Sequence, residues 1–233
     1  MSEGRSKGAL IQAVLFDLGN TLVRGPSEAE VISRAMVQEG RLADVETGVR
    51  LIREYVPDFS NRVDLIPNAR ALEAFFRDLG DHLGFDVLPL MKEYPKAWEV
   101  YPEAKQVLAE VRSRGYKVGL VSNWGPASEG ILDRHGFRPF FDDTVISYAC
   151  GLLKPDPAIF RLASERVGAA PESCLMVGDH LQADIWGALG AGMRAFWVNR
   201  RGGSGPSMTP SGPTLEPLLE LLPPLAGGRS QAG

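Results

Sequence analysis

The chain has 233 residues, of which 44% are hydrophobic and 23% charged, a globular composition with length enough for one large core and a smaller appended domain. Its formal net charge of −4 argues against a broad electrostatic grip on nucleic acid, which needs clustered Lys and Arg. No segment is long enough to span a bilayer and the residues before Ala9 lack the apolar run of a secretory signal, so we expect a cytoplasmic protein without a membrane partner.

The first predicted element is a strand, because the apolar run Ile11 to Phe16 stops at Asp17 and Gly19 as a strand buried on both faces does. Further strands and helices alternate after it. The predicted strands are Tyr116–Val121, Thr144–Ile146, Cys174–Val177 and Arg194–Val198, and the predicted helices are Pro102–Arg114, Pro157–Val167 and Ala183–Ala191. This alternation predicts an α/β fold with an open, mainly parallel sheet.

The interval between the first two strands has helical patterns and no strand-like repeat. Its predicted helices are Glu28–Glu39, Val45–Val56, Arg70–Leu79 and Val87–Tyr94. We interpret residues 25–98 as an inserted α-helical cap domain, with residues 1–24 and 99–233 forming the α/β core.

The C-terminal part divides into a loop and a short apolar element. Gly202 to Pro213 is rich in Gly, Ser and Pro, which favours a mobile loop, and Leu215 to Leu225 predicts a short helix that closes against the core. The cysteines, Cys150 and Cys174, lie in no C-x-x-C or zinc-like pattern, so we expect both to be reduced core residues.

Polar residues follow the predicted strands at the edge where parallel α/β sheets bind ligands. Asp17 is placed to approach a phosphoryl group and bind a hard cation. Ser122 and Asn123 offer an anion a hydroxyl, an amide and backbone N–H groups. The remaining positions are Ser147 after the third strand, the cation Lys154, and the carboxylates Asp179 and Asp184. Each alone is typical of a turn, a helix cap or a surface charge, but their joint order is specific.

Four segments together resemble the motifs of the haloacid dehalogenase superfamily. They are Phe16-Asp-Leu-Gly-Asn-Thr21, Val121-Ser-Asn123, Gly151 to Pro157 followed by Ala158-Ile-Phe160, and Gly178-Asp-His-Leu-Gln-Ala-Asp184 followed by Gly187-Ala188. The resemblance spans nearly the whole chain and is to the subgroup with a helical cap between the first two motifs. It implies a three-layer Rossmann-like core.

The resemblance also implies a reaction, the hydrolysis of a small phosphorylated metabolite by a monomer or homodimer that binds no nucleic acid. Asp17 attacks phosphorus to form an aspartyl-phosphate, and water then hydrolyses it. Ser122 and Lys154 hold phosphoryl oxygens, and Asn20, Thr21 and Asn123 complete the candidate substrate-binding set. The implied cofactor is Mg²⁺, and its implied ligands are Asp17, the carbonyl of Gly19, Asp179 and, in or just beyond the first shell, Asp184.

Gly19 departs from the family's phosphatases, which usually carry a second Asp there as general acid and base. Such assistance is commonly worth about 10² to 10⁴ in rate. Three explanations stay open, and we favour substrates whose leaving groups need little protonation, such as acyl, aryl or anomeric phosphates. Otherwise His180 replaces the acid, since histidine commonly serves as a general acid or base, or hydrolysis is lost and a phosphate-binding regulatory protein is left.

Two other reactions are weighed against phosphate ester hydrolysis. Haloacid dehalogenases also lack the second Asp, but they usually carry an aromatic residue at the position of Gly19 and tend to lose the acid that Asp179 supplies here. Phosphonate cleavage requires a cap lysine that forms an imine, for which Lys92 and Lys96 are the candidates.

The cap and its connections offer further candidates for contact with substrate. Four polar side chains could meet an anionic or hydroxylated substrate, namely Arg24, Arg53, Asn61 and Arg62. Trp98 and Tyr101 are predicted to pack at the hinge from cap to core, and Trp124 to flank the mouth of the site or pack under the cap. Because a helical cap obstructs folded protein substrates, we expect a small metabolite.

Overall fold

The computed structural model describes residues 10–200, 202–203, 205–206 and 209–225. The described strands are β1 (Ala13–Phe16), β2 (Val23–Arg24), β3 (Glu99–Val100), β4 (Lys117–Ser122), β5 (Asp143–Ile146), β6 (Cys174–Gly178), β7 (Arg194–Val198) and β8 (Ser211–Gly212). Six of them form the main sheet in the order β5-β4-β1-β6-β7-β8, and every neighbouring pair in it is parallel. The predicted mainly parallel sheet is confirmed.

Helices cover both faces of this sheet, because the central strands are apolar on both sides. In β1, Val14 and Phe16 join one buried cluster, whereas Ala13 and Leu15 join another on the opposite face. The core helices are α6 (Ala104–Ser113), α7 (Ala127–Arg134), α8 (Ser147–Cys150), α9 (Pro157–Val167) and α10 (Gly187–Gly190). Residues of α6 and α7 pack in the first cluster and residues of α9 and α10 in the second, which gives the predicted three layers.

The segment between β2 and β3 is helical and has a hydrophobic cluster of its own. Its helices are α1 (Glu28–Gln38), α2 (Val45–Tyr55), α3 (Phe59–Asp64), α4 (Ala69–Leu83) and α5 (Leu88–Glu93), followed by a 3₁₀ turn at Tyr94–Ala97. Its two connections to the core pair as the antiparallel ribbon β2–β3. Division into a cap of residues 25–98 and a core stays a prediction, and this separate cluster supports it.

Helix starts in the cap follow from capping chemistry. Ser27 and Glu30 form a reciprocal capping box at α1, and the side chains of Asp44 and Asn68 accept hydrogen bonds at the starts of α2 and α4. α4 ends at Gly84, whose positive φ of 61° suits glycine. No helix among the described residues is long and apolar enough to cross a bilayer.

Several predicted elements differ from the observed ones. The segment Ala183–Ala191 was predicted as one helix but is a π-helical turn at Leu181–Trp186 followed by α10. The loop prediction was wrong at Ser211–Gly212, which extends the sheet edge as β8, and the closing element is a 3₁₀ helix at Glu216–Leu221. Predictions for residues 1–9, 201, 204, 207–208 and 226–233 lie outside the described residues.

Remaining short elements complete the chain. They are 3₁₀ turns at Arg138–Phe140 and Pro171–Ser173. Both cysteines are free, with Cys174 buried and Cys150 half-buried.

Candidate active site

Asp17 lies directly after β1, where its backbone N–H donates to the carbonyl of Val177 on β6 at 2.9 Å. Its carboxylate is buried, and the two oxygens have different surroundings. Oδ1 accepts hydrogen bonds from Ser122 Oγ at 3.0 Å and Lys154 Nζ at 2.7 Å, whereas Oδ2 accepts, from the described residues, only a long one from Thr21 Oγ1 at 3.4 Å. The carboxylate is therefore held by one oxygen and presents the other.

Lys154 links the elements of the site through a buried ammonium group. Its Nζ donates to Asp17 at 2.7 Å, to Asp184 at 2.6 Å and to the carbonyl of Val121 at 2.9 Å. Burial alone would lower the pKa of Lys154, but the two carboxylates outweigh it and raise the pKa above its ordinary value. Asn123 fixes the lysine backbone by two hydrogen bonds, one to its N–H and one to its carbonyl.

Three carboxylates meet beside this lysine. Oxygens of Asp17, Asp179 and Asp184 lie within 4.8 Å of one another. Asp184 also accepts from the backbone N–H of His180 at 2.9 Å, and a Cβ on Gly178 would lie 2.3 Å from its side chain, so glycine is required there. The cluster has the hard oxygen ligands that Mg²⁺ prefers.

Proximity and burial shift the titration of this cluster. Burial, together with the charges of Asp17 and Asp184, raises the pKa of Asp179 to about 7. Burial likewise raises the pKa of Asp184, and Lys154 offsets part of that effect. The described side chains thus leave negative charge undercompensated, which suits a site for a cation.

The loop after Asp17 is held by Arg200, a residue that the sequence did not single out. Arg200 donates to the carbonyls of Asn20 at 3.0 Å and Thr21 at 2.7 Å, and it pairs with buried Glu103 at 2.9 Å. Its guanidinium carbon lies 3.3 Å from the centre of the Tyr101 ring. Asn20 has a positive φ of 53°, a backbone conformation that most residue types disfavour. The contacts of Arg200 form a clamp that holds the loop in this conformation. The sequence signal for Arg200 was its position shortly after β7, at the edge of the sheet where ligands bind.

Two tryptophans occupy the space beside Gly19. A Cβ at this position would lie 3.3 Å from the Trp124 ring and 3.9 Å from the Trp98 ring. The two rings pack edge to face with centroids 4.5 Å apart. Trp98, for which a hinge role stays a prediction, therefore also reaches the candidate site, and position 19 faces packed indole rings.

A cleft of about 690 Å³ lies between these residues and the cap. Asn61 lines it, as do Asn20, Asn123 and His180. His180 Nδ1 already accepts a hydrogen bond from the N–H of Ala183 at 3.1 Å. Sequence reasoning missed several wall residues, among them Glu28, Asp64 and Tyr94. Glu28 begins α1, where an acid is typical of a helix start, and Asp64 and Tyr94 carry no local signal.

The other residues predicted for the site do not line the cleft. Thr21 is fully buried, donates from its hydroxyl to Asp17 Oδ2 and is not among the residues that line the cleft, so its contact with substrate stays a prediction. Ser147 is also buried, and it accepts from the N–H of Trp124 at 2.9 Å and braces that loop. Exposed positions outside the wall are occupied by Arg24, which pairs with Glu99, and by Arg53, Arg62, Lys92 and Lys96.

Comparisons with known proteins agree with this architecture. The family model of the haloacid dehalogenase-like hydrolases matches residues 11–192. The chain is 32% identical over 198 residues to a protein named glyceraldehyde 3-phosphate phosphatase from Pyrococcus abyssi, with 81% of each chain covered. Two solved structures are also similar. A HAD phosphatase from Thermococcus onnurineus has a TM-score of 0.71 and 26% identity, covering 94% of this chain and 99% of the other. A 2-haloacid dehalogenase from Pseudomonas syringae pv. Tomato has a TM-score of 0.67 and 27% identity, covering 91% and 98%.

Proposed function

Because the chain belongs to the haloacid dehalogenase-like hydrolase family, we propose that it hydrolyses phosphomonoesters of small metabolites with Asp17 as the nucleophile. The observation that carries the proposal is the asymmetry of the Asp17 carboxylate. Ser122 and Lys154 bind Oδ1, while in the part of the chain that the structure describes Oδ2 has only one long hydrogen bond. A carboxylate oriented in this way offers one oxygen for attack.

The reaction proceeds in two displacements. Oδ2 of Asp17 forms a bond to phosphorus as the bond from phosphorus to the leaving oxygen breaks, and the leaving group departs as an anion that takes its proton from solvent. Water then attacks phosphorus, the bond from phosphorus to Oδ2 breaks to regenerate the carboxylate, and the proton of the attacking water passes to solvent as phosphate is released. When substrate binds, the Ser122 hydroxyl and one N–H of Lys154 turn from Asp17 Oδ1 to phosphoryl oxygens, and the ammonium offsets the phosphoryl charge.

Mg²⁺ fits the residues present, because three carboxylates converge within 4.8 Å and Lys154 compensates only part of their charge. Asp17, Asp179 and the carbonyl of Gly19 would hold the ion, with Asp184 in or beside its first shell. When bound, the ion supplies charge stabilisation for the transferring phosphoryl group.

Because Gly19 supplies no general acid, substrates whose leaving groups depart without protonation fit the site best. No carboxyl can be added there without pressing on the Trp124 ring, and His180 has one ring nitrogen already engaged, which leaves only Nε2 for proton transfer. Acyl, aryl or anomeric phosphates need the least protonation. The phosphatase name of the Pyrococcus relative supports a small phosphorylated substrate, and a cytoplasmic monomer or homodimer is part of the same proposal.

A haloacid dehalogenase activity is the second candidate, favoured by the likeness to the Pseudomonas enzyme. The acids Asp179 and Asp184 count against it, because carboxylate attack on carbon needs no metal and gains nothing from two further carboxylates beside the nucleophile. The third candidate is a protein that binds phosphate but does not hydrolyse phosphate esters.

Turnover of p-nitrophenyl phosphate with Mg²⁺ and with EDTA tests the proposal. Wild-type protein is expected to release p-nitrophenol only with Mg²⁺, and Asp17→Asn is expected to release none. Asp81→Asn makes the same chemical change on the exposed surface of α4 and is expected to keep full activity. Equal rates in Asp17→Asn and wild type would sink the proposal. Chloride release from a 2-haloacid in EDTA would show that the protein is a dehalogenase. Phosphate binding without turnover would show that it is a phosphate-binding protein.

A further inference from the structure

The C-terminal end of the cap helix α3 rests on two residues of the core. The buried hydroxyl of Ser147, the first residue of α8, donates to the backbone carbonyl of Asp64 at 2.7 Å. Gly125 lies under the same helix end, because a Cβ there would come within 2.8 Å of the carbonyl of Val63. We refer to Gly125 and Ser147 as the docking pair.

The docking pair is tied to the loop that also contacts the candidate nucleophile. Ser147 Oγ accepts from the backbone N–H of Trp124 at 2.9 Å. Trp124 and Gly125 stand in the same loop as Ser122, whose hydroxyl donates to Asp17 at 3.0 Å. This loop therefore contacts the carboxylate at one end and the cap at the other, which fixes the position of α3 relative to Asp17.

Opposite faces of α3 serve the cap and the cleft. Phe59 and Val63 are buried in the hydrophobic cluster of the cap. Ser60, Asn61 and Asp64 line the cleft. If the proposed function holds, on which this role of α3 rests, the organic part of a phosphate ester would lie between these polar side chains and the nucleophile.

α3 depends on contacts outside itself for its position. It has only six residues, and its N-cap Asp58 has a positive φ of 56° and makes no side-chain capping hydrogen bond. Isolated helices this short are unstable in water, because the first turn must be fixed before hydrogen bonds accumulate. Carbonyls at the C-terminal end of a helix also lack partners within it, and Ser147 supplies one to Asp64. Loss of the docking pair is therefore expected to loosen this helix.

The Ser147 hydroxyl can release α3 without becoming an unpaired buried donor. Its one proton has two acceptors within reach, the Asp64 carbonyl at 2.7 Å and the Trp124 carbonyl at 3.1 Å. If α3 moves away, the hydroxyl turns to the Trp124 carbonyl, and the cost of leaving it unbonded is avoided. A contact that forms and breaks in this way suits a cap that must let substrate in and product out.

We propose that Gly125 and Ser147 are positioning residues that hold α3 over the cleft, so that the protein selects its substrate by the fit of the organic group against α3. In the proposed reaction the phosphoryl group is held from the core, by Ser122 and Lys154. Inorganic phosphate should therefore bind without help from the docking pair, whereas a ligand that carries an organic group should gain from it.

Binding of two ligands to the active protein tests this role without turnover. The ligands are inorganic phosphate and benzylphosphonate, an analogue of phenyl phosphate with CH₂ in place of the ester oxygen, each titrated by calorimetry with Mg²⁺. Ser147→Ala is expected to weaken benzylphosphonate by about fivefold, the loss of one hydrogen bond, and phosphate by less than about twofold. Gly125→Ala keeps the hydroxyl but presses a methyl group on the Val63 carbonyl, and it should act in the same direction.

Matched controls make the same chemical changes away from α3. Ser113→Ala removes an exposed hydroxyl that donates to the carbonyl of Glu110 within α6. Gly190→Ala adds a Cβ that would meet no described atom within 4 Å. Both should leave the ratio of the two affinities as in wild type.

Hydrogen exchange followed by mass spectrometry measures α3 itself in the ligand-free protein. Each docking-pair variant is expected to speed exchange of the α3 amides by about fivefold, while β1 exchanges as in wild type and the controls change neither. If Ser147→Ala does not fold, Gly125→Ala decides the question alone, because it keeps every hydrogen bond of Ser147 on the core side.

The proposal is overturned by unchanged exchange of α3 in either folded docking-pair variant, by equal losses of affinity for the two ligands, or by no measurable binding of benzylphosphonate to wild type. The phosphatase proposal is judged separately, by wild-type turnover of p-nitrophenyl phosphate. A selective loss of benzylphosphonate binding in a protein without that turnover supports the positioning role and counts against the reaction.

Discussion

Charge in the carboxylate cluster should make the stability of the metal-free protein depend on pH. The pKa of Asp179 is raised from 3.8 to about 7, so the folded state resists its ionisation. A carboxyl whose folded pKa exceeds its unfolded pKa is proton-bound in the folded state over that interval. The free energy of unfolding should therefore fall as pH rises from about 4 to about 7 and level off above it, by about 4 kcal/mol at most from this residue.

If the cluster is the Mg²⁺ site proposed above, the ion binds its ionised form and should reverse this loss. At an ion concentration of about 100 times Kd, linkage gives about 2.7 kcal/mol of stabilisation. For a chain of this size that corresponds to a rise in Tm of about 5–10 °C at pH 8. At pH 5 the rise should be smaller, because protons compete with the ion for Asp179.

Thermal unfolding followed by circular dichroism at pH 5, 6, 7 and 8, with Mg²⁺ or EDTA, measures both effects. Asp179→Asn should flatten the dependence on pH in EDTA and reduce the rise with Mg²⁺, whereas Asp81→Asn should change neither. A Tm in EDTA that rises from pH 5 to pH 8 to the same extent in wild type and Asp179→Asn, or a Tm that Mg²⁺ leaves unchanged at pH 8, would refute this reasoning.

Three other substitutions probe the site. Lys154→Met should lower Tm by about 6–20 °C in EDTA, since removing one partner of a buried ion pair costs about 3–5 kcal/mol, and excess Mg²⁺ should restore part of the Tm but not phosphate release. Gly19→Asp should speed alkyl phosphate hydrolysis relative to aryl by about 10², the lower end of general acid catalysis because Trp124 must yield, while Gly19→Ala should give no gain. Arg200→Lys should lower kcat by about tenfold or more with less change in KM, because one ammonium cannot reproduce the forked contact to two carbonyls of the Asp17 loop; an unchanged kcat would show that this clamp does not support catalysis.

The sheet was predictable because its strands are buried on both faces. β1 and β6 are uninterrupted apolar runs that end at Asp17 and Asp179, so both the strands and the site residues at their ends could be read from the sequence. β8 was not, because Ser211 and Gly212 carry no apolar signal and pair only through their backbone. The π-helical turn was not predicted for a similar reason. The spacing of apolar residues does not determine whether each N–H bonds the carbonyl four or five residues earlier.

The residues of the candidate site also divide into those that the sequence could predict and those that it could not. Asp17, Ser122 and Lys154 stand in recognisable segments, and the structure brings them into contact. Arg200 and Asp64 have no local signature, because their roles depend on elements that meet only after folding.

The central claim is that Asp17 carries the phosphoryl group, and a trapped intermediate tests it most directly. Wild-type protein is mixed with a phosphomonoester and Mg²⁺, quenched in acid within one turnover and mapped by mass spectrometry. We predict a phosphoryl adduct on the peptide that contains Asp17, and no adduct in Asp17→Asn or in EDTA. A phosphoryl group on another residue, or phosphate release that continues in Asp17→Asn, would contradict the claim.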